Sequence, residues 1–408
     1  MARRKKPPYA GKYLLTRFGG KGDALFLTAV AHQLKRRGYE VHVAINEPCV
    51  PLLQNNPDIA HIYPTVRTDL PPMQVNKNGH PVDLVSVDGA SITVEALYDR
   101  FPGTGLRQYN AANYRYVIES NSIHPWLHPT QNSDYTNTYD MHMGWAGIDP
   151  QAVTPNEKRP YYWTTAEERA WAKSVLGKAR KPVVMVQTFA SSPARTYYRL
   201  SEMVEWLNKN AGTVLVWYGD HWMLGRSPLS LPKGMDGMRA TAALIEQADL
   251  LVSADTCVSH LAEALQTRHL TYYSTVPAWT RSAYYEYETT VDCSVQYDNR
   301  ICKCAIIGRD CPRRVRDAMD ALTDREKSLL MWLKPEHKQR LNLQHVPGPE
   351  QGPPPHERYE TSPQGFDTMA QAAATRYDGL RQQEAYCIAS LDLLAHVKDA
   401  VSSLKGGD

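Results

Sequence analysis

Short apolar runs alternate with helix-periodic stretches along this chain, and they do so in two blocks. In the first block, Lys12 to Phe18 reads as a strand, and Ala24 to Arg37, with Leu25, Val30 and Leu34 at helical spacing, reads as the helix that follows. Glu40 to Ile45 reads as a second strand, Asn46 to Asn55 as a loop and short helix, Ile59 to Tyr63 as a third strand and Val82 to Val87 as a fourth. The second block begins with a helix over Thr164 to Leu176, announced by Thr165-Ala166-Glu167-Glu168. Its strands are Pro182 to Val186, Thr213 to Tyr218 (running into Gly219-Asp220), Asp249 to Ser253 and His269 to Ser274. Its helices are Leu200 to Lys209, Ala240 to Gln247 and about Val258 to Leu265. Strands separated by helices pair in parallel, because parallel neighbours need a crossover connection. The expected fold class is therefore α/β, with two doubly wound units facing a cleft. A length of 408 residues gives each unit enough chain for its own core.

The rest of the chain is less regular. Tyr109 to Pro160 is polar and rich in Tyr, Asn, His and Pro, and reads as loops over the cleft. Asp317 to Leu333 and Met369 to Leu404 read as helical, the latter with Ile388, Leu391, Leu394, Val397 and Val401 on one face that packs back on the body. His345 to Pro363 is rich in Pro and Gly and reads as a linker. The expected division is residues 1–160 for a first α/β domain, 161–316 for a second α/β domain, and 317–408 for a helical extension.

Bulk properties exclude several classes. A net charge of +3 carries no global nucleic-acid signature. The basic start Ala2-Arg3-Arg4-Lys5-Lys6-Pro7-Pro8 is short and reads as a solvated tail. No stretch approaches the ~20 apolar residues that span a bilayer, and no apolar core follows the basic start as in a signal peptide. A cytoplasmic location is the expectation. Seven cysteines in this length do not make a disulfide scaffold.

Two joints between strand and helix can carry chemistry. The first is Phe18-Gly19-Gly20-Lys21-Gly22-Asp23, which places a carboxylate at the mouth of the first helix. Ligands of open α/β sheets bind beyond the carboxyl ends of the strands, so Asp23 is placed for catalysis; it is equally suited to capping the helix. The second is Ser253-Ala254-Asp255-Thr256-Cys257-Val258-Ser259-His260, where a strand ends and a helix begins at once. The backbone N–H groups of Thr256, Cys257, Val258 and Ser259 form an anion site suited to a diphosphate. Asp255 suits sugar hydroxyls or a cap, and His260 and Glu263 share one helix face.

Together these stretches resemble a known family. R-F-G-G-K-G-D-A-L-F-L-T-A-V resembles the N-terminal loop of ADP-heptose:lipopolysaccharide heptosyltransferases, glycosyltransferase family nine. L-I-E-Q-A-D-L-L-V-S-A-D-T-C-V-S-H-L-A-E-A-L resembles their nucleotide-sugar motif, with Cys257 where the family usually has glycine. Val184 to Leu207 resembles the family's strand–loop–helix with its basic residue, here Arg195. V-L-V-W-Y-G-D-H resembles its strand ending in glycine. The matches run in order over roughly residues 12–290. Ser274 to Arg281 keeps the family's turn only loosely, and residues 60–155 and those past about 315 carry no match.

The resemblance implies a GT-B architecture of two Rossmann-like domains and inverting, metal-independent glycosyl transfer from a nucleotide-sugar donor, ADP-heptose in the family. Asp23 matches the base position. Lys21, Gly22, Arg195, Gly219, Asp220, Asp255, Thr256, Cys257, Val258, Ser259 and His260 are the donor-binding candidates. The acceptor is a hydroxyl of a glycan or a protein. A modified DNA base is the alternative acceptor, and a non-catalytic sugar-nucleotide-binding protein or a nucleotide-sugar epimerase are alternatives of other classes.

Cys293, Cys302, Cys304 and Cys311 fall within 19 residues in the pattern C-x8-C-x-C-x6-C. Four thiolates suit a structural Zn or Fe, although the spacing lacks the usual C-x2-C pairs. Relatives that heptosylate proteins carry cysteine-bound iron, and the cluster is similar in position. Unligated loop thiols are the other reading. The resemblance implies that no cofactor is needed for catalysis. Tyrosine, with 24 copies against 5 phenylalanines, supplies Tyr197-Tyr198 and Tyr284-Tyr285 near the donor loops, as half-buried surface residues or as stacking platforms.

Overall fold

The computed structural model describes residues 11–17, 20–65, 116–119, 137–190, 195–218, 221–274, 277–292, 296–297, 300–301, 317–331, 333, 363–381 and 391–406. They divide into two compact units. The first is Met1–Thr188 with Arg199–Asp292 and Asp392–Asp408; the second is Phe189–Tyr198 with Cys293–Leu391.

The first unit contains both expected α/β sheets. Its N-terminal sheet has strands β1 (Lys12–Arg17), β2 (Glu40–Asn46), β3 (His61–Thr65) and β4 (Tyr116–Glu119) in the order β3-β2-β1-β4. Every pairing is parallel, with Leu15 opposite Val43, Leu14 opposite Val117 and His42 opposite His61. β4 lies in the stretch read from sequence as loops. Four residues in a polar context give no period to read, and pairing with β1 decides their state. The strand expected over Val82 to Val87 lies outside the described residues.

Helix α1 (Lys21–Arg36) follows β1. It begins three residues before the expected Ala24, so Lys21 and Gly22 are helical and Asp23 lies inside the first turn, not ahead of it. Two reciprocal hydrogen bonds set this start: the Asp23 N–H donates to the Gly20 carbonyl at 3.0 Å, and the Gly20 N–H donates to Asp23 Oδ2 at 2.8 Å. From Ala24 to Ala31 every residue is buried. A helix apolar all round must be covered all round. α1 is packed against β1 and β2 and also against helices α2 (Val50–Leu53), α3 (Thr138–Trp145) and α7 (Cys257–Ala264).

Helix α3 also lies in the stretch expected to be loops. Asn137 caps it by accepting from the Tyr139 N–H at 2.8 Å, and Tyr139, Met141 and Met143 are buried. Eight residues are too few turns for an apolar stripe to stand out.

The second sheet has seven strands: β5 (Val183–Gln187), β6 (Thr213–Tyr218), β7 (His221–Leu224), β8 (Ser227–Pro228), β9 (Leu250–Ala254), β10 (His269–Tyr273) and β11 (Glu288–Asp292), in the order β11-β10-β9-β5-β6-β7-β8. The five from β11 to β6 pair in parallel, whereas β7 and β8 form an antiparallel edge. That edge had no sequence expectation. It is held by Trp222, whose indole N–H donates to Thr241 Oγ1 at 2.9 Å. β5, β9 and β10 are buried at every position, as inner strands covered on both faces must be. Helix α4 (Ala166–Leu176) starts with the expected capping box, in which Glu168 N–H donates to Thr165 Oγ1 at 3.2 Å and Thr165 N–H to Glu168 Oε2 at 2.8 Å. Helices α5 (Leu200–Asn210) and α6 (Gly237–Gln247) and the C-terminal α10 (Leu393–Lys405) complete this half; α10 buries Leu393, Val397 and Val401 and packs on β10.

Arg239 ties the two sheets' layers together. Its guanidinium is 3% exposed and uses every donor. Nε and Nη2 meet Glu168 at 2.6 and 2.7 Å, Nη1 donates to the Pro51 and Gln54 carbonyls at 3.1 Å, and Nη2 also donates to the Trp163 carbonyl at 2.8 Å. Removing one member of such a buried pair costs about 3–5 kcal/mol.

In the second unit, helices α8 (Asp324–Met331) and α9 (Pro363–Arg381) share a core of Leu322, Leu329, Leu330, Ala373, Ala374 and Tyr377. Arg376 pairs with Glu326 at 2.7 Å. The single helix expected over Asp317 to Leu333 is interrupted at 321–323, because Thr323 and Glu326 form a capping box that starts a new one. Short antiparallel strands lie at Gln296–Tyr297 and Arg300–Ile301. Among the described residues, no helix is long and apolar enough to cross a membrane. The basic N-terminal segment and the linker at 345–362 lie outside the described residues.

Candidate active site

The site is built where α1 and α7 begin. β9 delivers Asp255, which is buried, and Thr256 takes an extended conformation as the N-cap of α7. The Thr256 hydroxyl accepts from the Val258 N–H at 3.3 Å and donates to Gln187 Oε1, at the end of β5, at 3.2 Å. Ser259 Oγ donates back to the Thr256 carbonyl at 2.8 Å. The first turn of α7 therefore stands at the carboxyl ends of β5 and β9, with its N–H groups aimed outward along the helix axis.

The first turn of α1 rests directly on it. A Cβ placed on Gly22 would lie 3.1 Å from His260 Cδ2 and 3.5 Å from both Cα and N of Cys257. Gly22 is thus a close-approach glycine within a helix, and its lack of a side chain lets two helix N-termini abut. Asp23 on α1, and Asp255 to Ser259 on β9 and α7, are brought into one neighbourhood. Lys21, exposed at the start of α1, is close enough for its charge to oppose the rise of the Cys257 thiol, which burial pushes up to about 11. Cys257 is a thiol and not a disulfide.

His260 is the most constrained of these side chains. It is 3% exposed, and burial drives its imidazole down to about 4. Its Nδ1 is 2.7 Å from the Tyr285 hydroxyl, which is 2.8 Å from the Tyr139 hydroxyl; its Nε2 is 3.7 Å from Asp255 Oδ1. Phe26 of α1 lies against the ring at 4.8 Å, and Arg281 lies 5.5 Å from Phe26. Around this centre the segment after β10 is bound to α3. Asn137 Nδ2 donates to the Trp279 carbonyl, Thr138 Oγ1 to the Thr280 carbonyl, and Tyr284 to Asp140, which also pairs with Lys158 at 2.8 Å.

Glu263, expected to share a face with His260, has a structural part. Its buried carboxylate accepts from the Glu286 and Tyr287 N–H groups at 3.0 and 3.1 Å and so anchors the approach to β11, while burial raises its pKa. Arg195 belongs to the second unit and is half-buried there. Tyr197 is buried and Tyr198 exposed. Gly219, Asp220, Cys293, Cys302, Cys304 and Cys311 lie outside the described residues. Among the described residues no group of three or more His, Cys, Asp or Glu is placed to hold a metal. Tyr139 joins the site without a signal in the sequence beyond the abundance of tyrosine, whereas Tyr285 is one of the four tyrosines singled out there; Arg281 lies in a segment where the family turn is only loosely kept.

Residues 233–303 match the model of glycosyltransferase family 9 (heptosyltransferase). No curated protein matches the chain. Among solved structures, the chain is similar to a family 9 glycosyltransferase from Veillonella parvula, at 10% identity over 70% of this chain and 86% of that one with a TM-score of 0.47. It is also similar to the E. coli ADP-heptose LPS heptosyltransferase II, at 13% identity over 69% and 90% with a TM-score of 0.44. A third is the iron-containing dodecameric glycosyltransferase TibC of enterotoxigenic E. coli, at 12% identity over 72% and 65% with a TM-score of 0.38. The matched segment spans β9, the first turn of α7 and Tyr285, and in these residues the chain is similar to glycosyltransferase family 9.

Proposed function

We propose that the chain moves a sugar, heptose from ADP-heptose in the leading form, from a nucleotide-sugar donor to a hydroxyl of a glycan acceptor, with inversion and with no metal taking part in the chemistry. The observation that supports this reading is the contact of Gly22 with Cys257 and His260, through which the start of α1, with Asp23 in its first turn, abuts the start of α7. In the reaction, Asp23 takes the acceptor's hydroxyl proton as the new C–O bond forms at the anomeric carbon. The bond from that carbon to the diphosphate oxygen breaks, and the electron pair leaves with the nucleoside diphosphate. The first turn of α7, Thr256 to Ser259, meets that charge with its N–H groups, and Lys21 adds a cation. Asp255 is assigned to the donor's sugar hydroxyls. Arg195, Gly219 and Asp220 keep donor roles from the family resemblance, as does the division into an acceptor half at 1–160 and a donor half at 161–316.

The test is incubation with a panel of nucleotide sugars and glycan acceptors, read by mass spectrometry, with and without chelator. A new glycoside, formed equally well with chelator, supports the reading. Donor retained without transfer to any acceptor points to a binding protein, and donor isomerised alone points to an epimerase. Either outcome overturns it.

A further inference from the structure

The hydroxyls of Tyr139 and Tyr285, the His260 ring and the Asp255 carboxylate form one line that runs from α3 to the mouth of β9. Tyr139 is fully buried and Phe26 closes one side of the imidazole. The groups acting on the ring come from every element around it: Asp255 from the end of β9, Arg281 and Tyr285 from the segment after β10, Glu288 from β11 and Asp23 from α1. A neutral imidazole has one N–H and one lone pair, and the hydrogen bond at one nitrogen fixes the role of the other. Tyr285 lies 2.7 Å from Nδ1. Its hydroxyl can donate there while accepting from Tyr139, and this order satisfies all three groups. The Nε2 proton then faces Asp255, whose Oδ1 is 3.7 Å from Nε2, longer than a hydrogen bond and of the kind that tightens when substrate binds.

We propose that His260 is a positioning residue, held by Tyr285 as the Nε2–H tautomer so that its proton orients the Asp255 carboxylate toward the donor. The orienting role rests on the glycosyl-transfer reading, whereas the tautomer does not. This network makes His260 part of a frame that spans α3, α7 and the segment after β10, and it gives that frame a direction.

Histidine-selective 15N labelling tests the tautomer on the full chain, with the His260 signals identified by their loss in His260→Gln. The expected result at neutral pH is a protonated Nε2 and an unprotonated Nδ1. Tyr285→Phe removes the donor to Nδ1, so the two nitrogens should move toward a tautomer mixture, and donor kcat/KM should fall about tenfold, the loss of one buried hydrogen bond. Tyr139→Phe leaves Tyr285 able to donate and should keep the tautomer. A protonated Nδ1 in the unsubstituted protein overturns the proposal, and that measurement stands even where Tyr285→Phe does not fold. An unchanged tautomer and unchanged kinetics in a folded Tyr285→Phe protein overturn it as well. If the tautomer is as stated but no donor is turned over, the transfer reading fails and the tautomer assignment survives.

Discussion

The two helices that meet at the site begin in opposite ways. α1 starts at a glycine with no side chain to offer, so its own third residue, Asp23, reaches back to the Gly20 N–H. α7 starts at Thr256, whose uncharged hydroxyl caps the helix from outside, with Asp255 one residue ahead of it. One helix start carries a carboxylate and the other presents amides, although they touch through Gly22 and Cys257. On the proposed reading, the carboxylate end takes the acceptor hydroxyl's proton and the amide end meets the diphosphate. The comparison also explains why the cap and the base readings of Asp23 do not compete. A carboxylate has about four lone-pair sites on its two oxygens, so accepting the Gly20 N–H and taking up a proton are compatible.

Asp23→Asn separates the two roles most sharply. Asparagine retains an oxygen for the Gly20 N–H but takes up no proton, so transfer should fall about 10²–10⁴-fold while stability changes by no more than about 1 kcal/mol. Turnover near that of the unsubstituted protein would reduce Asp23 to a cap. A second measurement addresses the shared packing. The folded His260 imidazole titrates near 4, against about 6.5 in the unfolded chain, so between those values the unfolded state binds the extra proton. The contribution to stability is complete above about 6.5 and is lost as pH falls toward 4, by up to about 3 kcal/mol. Denaturant titrations across that range should show the slope, and His260→Gln should flatten it. Gly22→Ala pushes a methyl group against His260; a clash of roughly 1–3 kcal/mol outweighs the ~1 kcal/mol that alanine gains in a helix, so a net loss of about 1 kcal/mol is expected in thermal or urea unfolding. The smallest effect should come from Thr256→Ala, which removes the cap of α7, costing about 1 kcal/mol in stability, and raises the donor KM more than it lowers kcat. A Thr256→Ala protein with an unchanged donor KM would detach the α7 start from the donor.

Much of this was legible in the sequence where local physics decides. The alternation of runs with helical stretches placed β1 to β3, β5, β6, β9 and β10 within a residue or two, because strands buried on both faces are continuous apolar runs. Thr165 and Glu168 marked the start of α4 by the chemistry of the cap itself. Short elements were not legible. β4, α3, β7 and β8 have four, eight, four and two residues, too few for a period to emerge, and they exist because a neighbour completes their hydrogen bonds or covers them. Nor did Arg239 announce itself, since a single arginine in a helix reads as solvated until three carbonyls and a carboxylate from distant segments close around it.

By itself the sequence determined the α/β class, the positions of the main strands along the chain and the two joints where chemistry can sit, since periodicity, glycine and cap residues act over a few neighbours along the chain. Only the tertiary structure decided that those joints touch, that Gly22 is the point of approach, and that Tyr139 and Tyr285 lead to His260. Gly22 with Cys257, and Tyr139 with Tyr285, are more than a hundred positions apart, and packing selects such contacts by shape and by the need of buried polar groups for partners, neither of which leaves a local pattern.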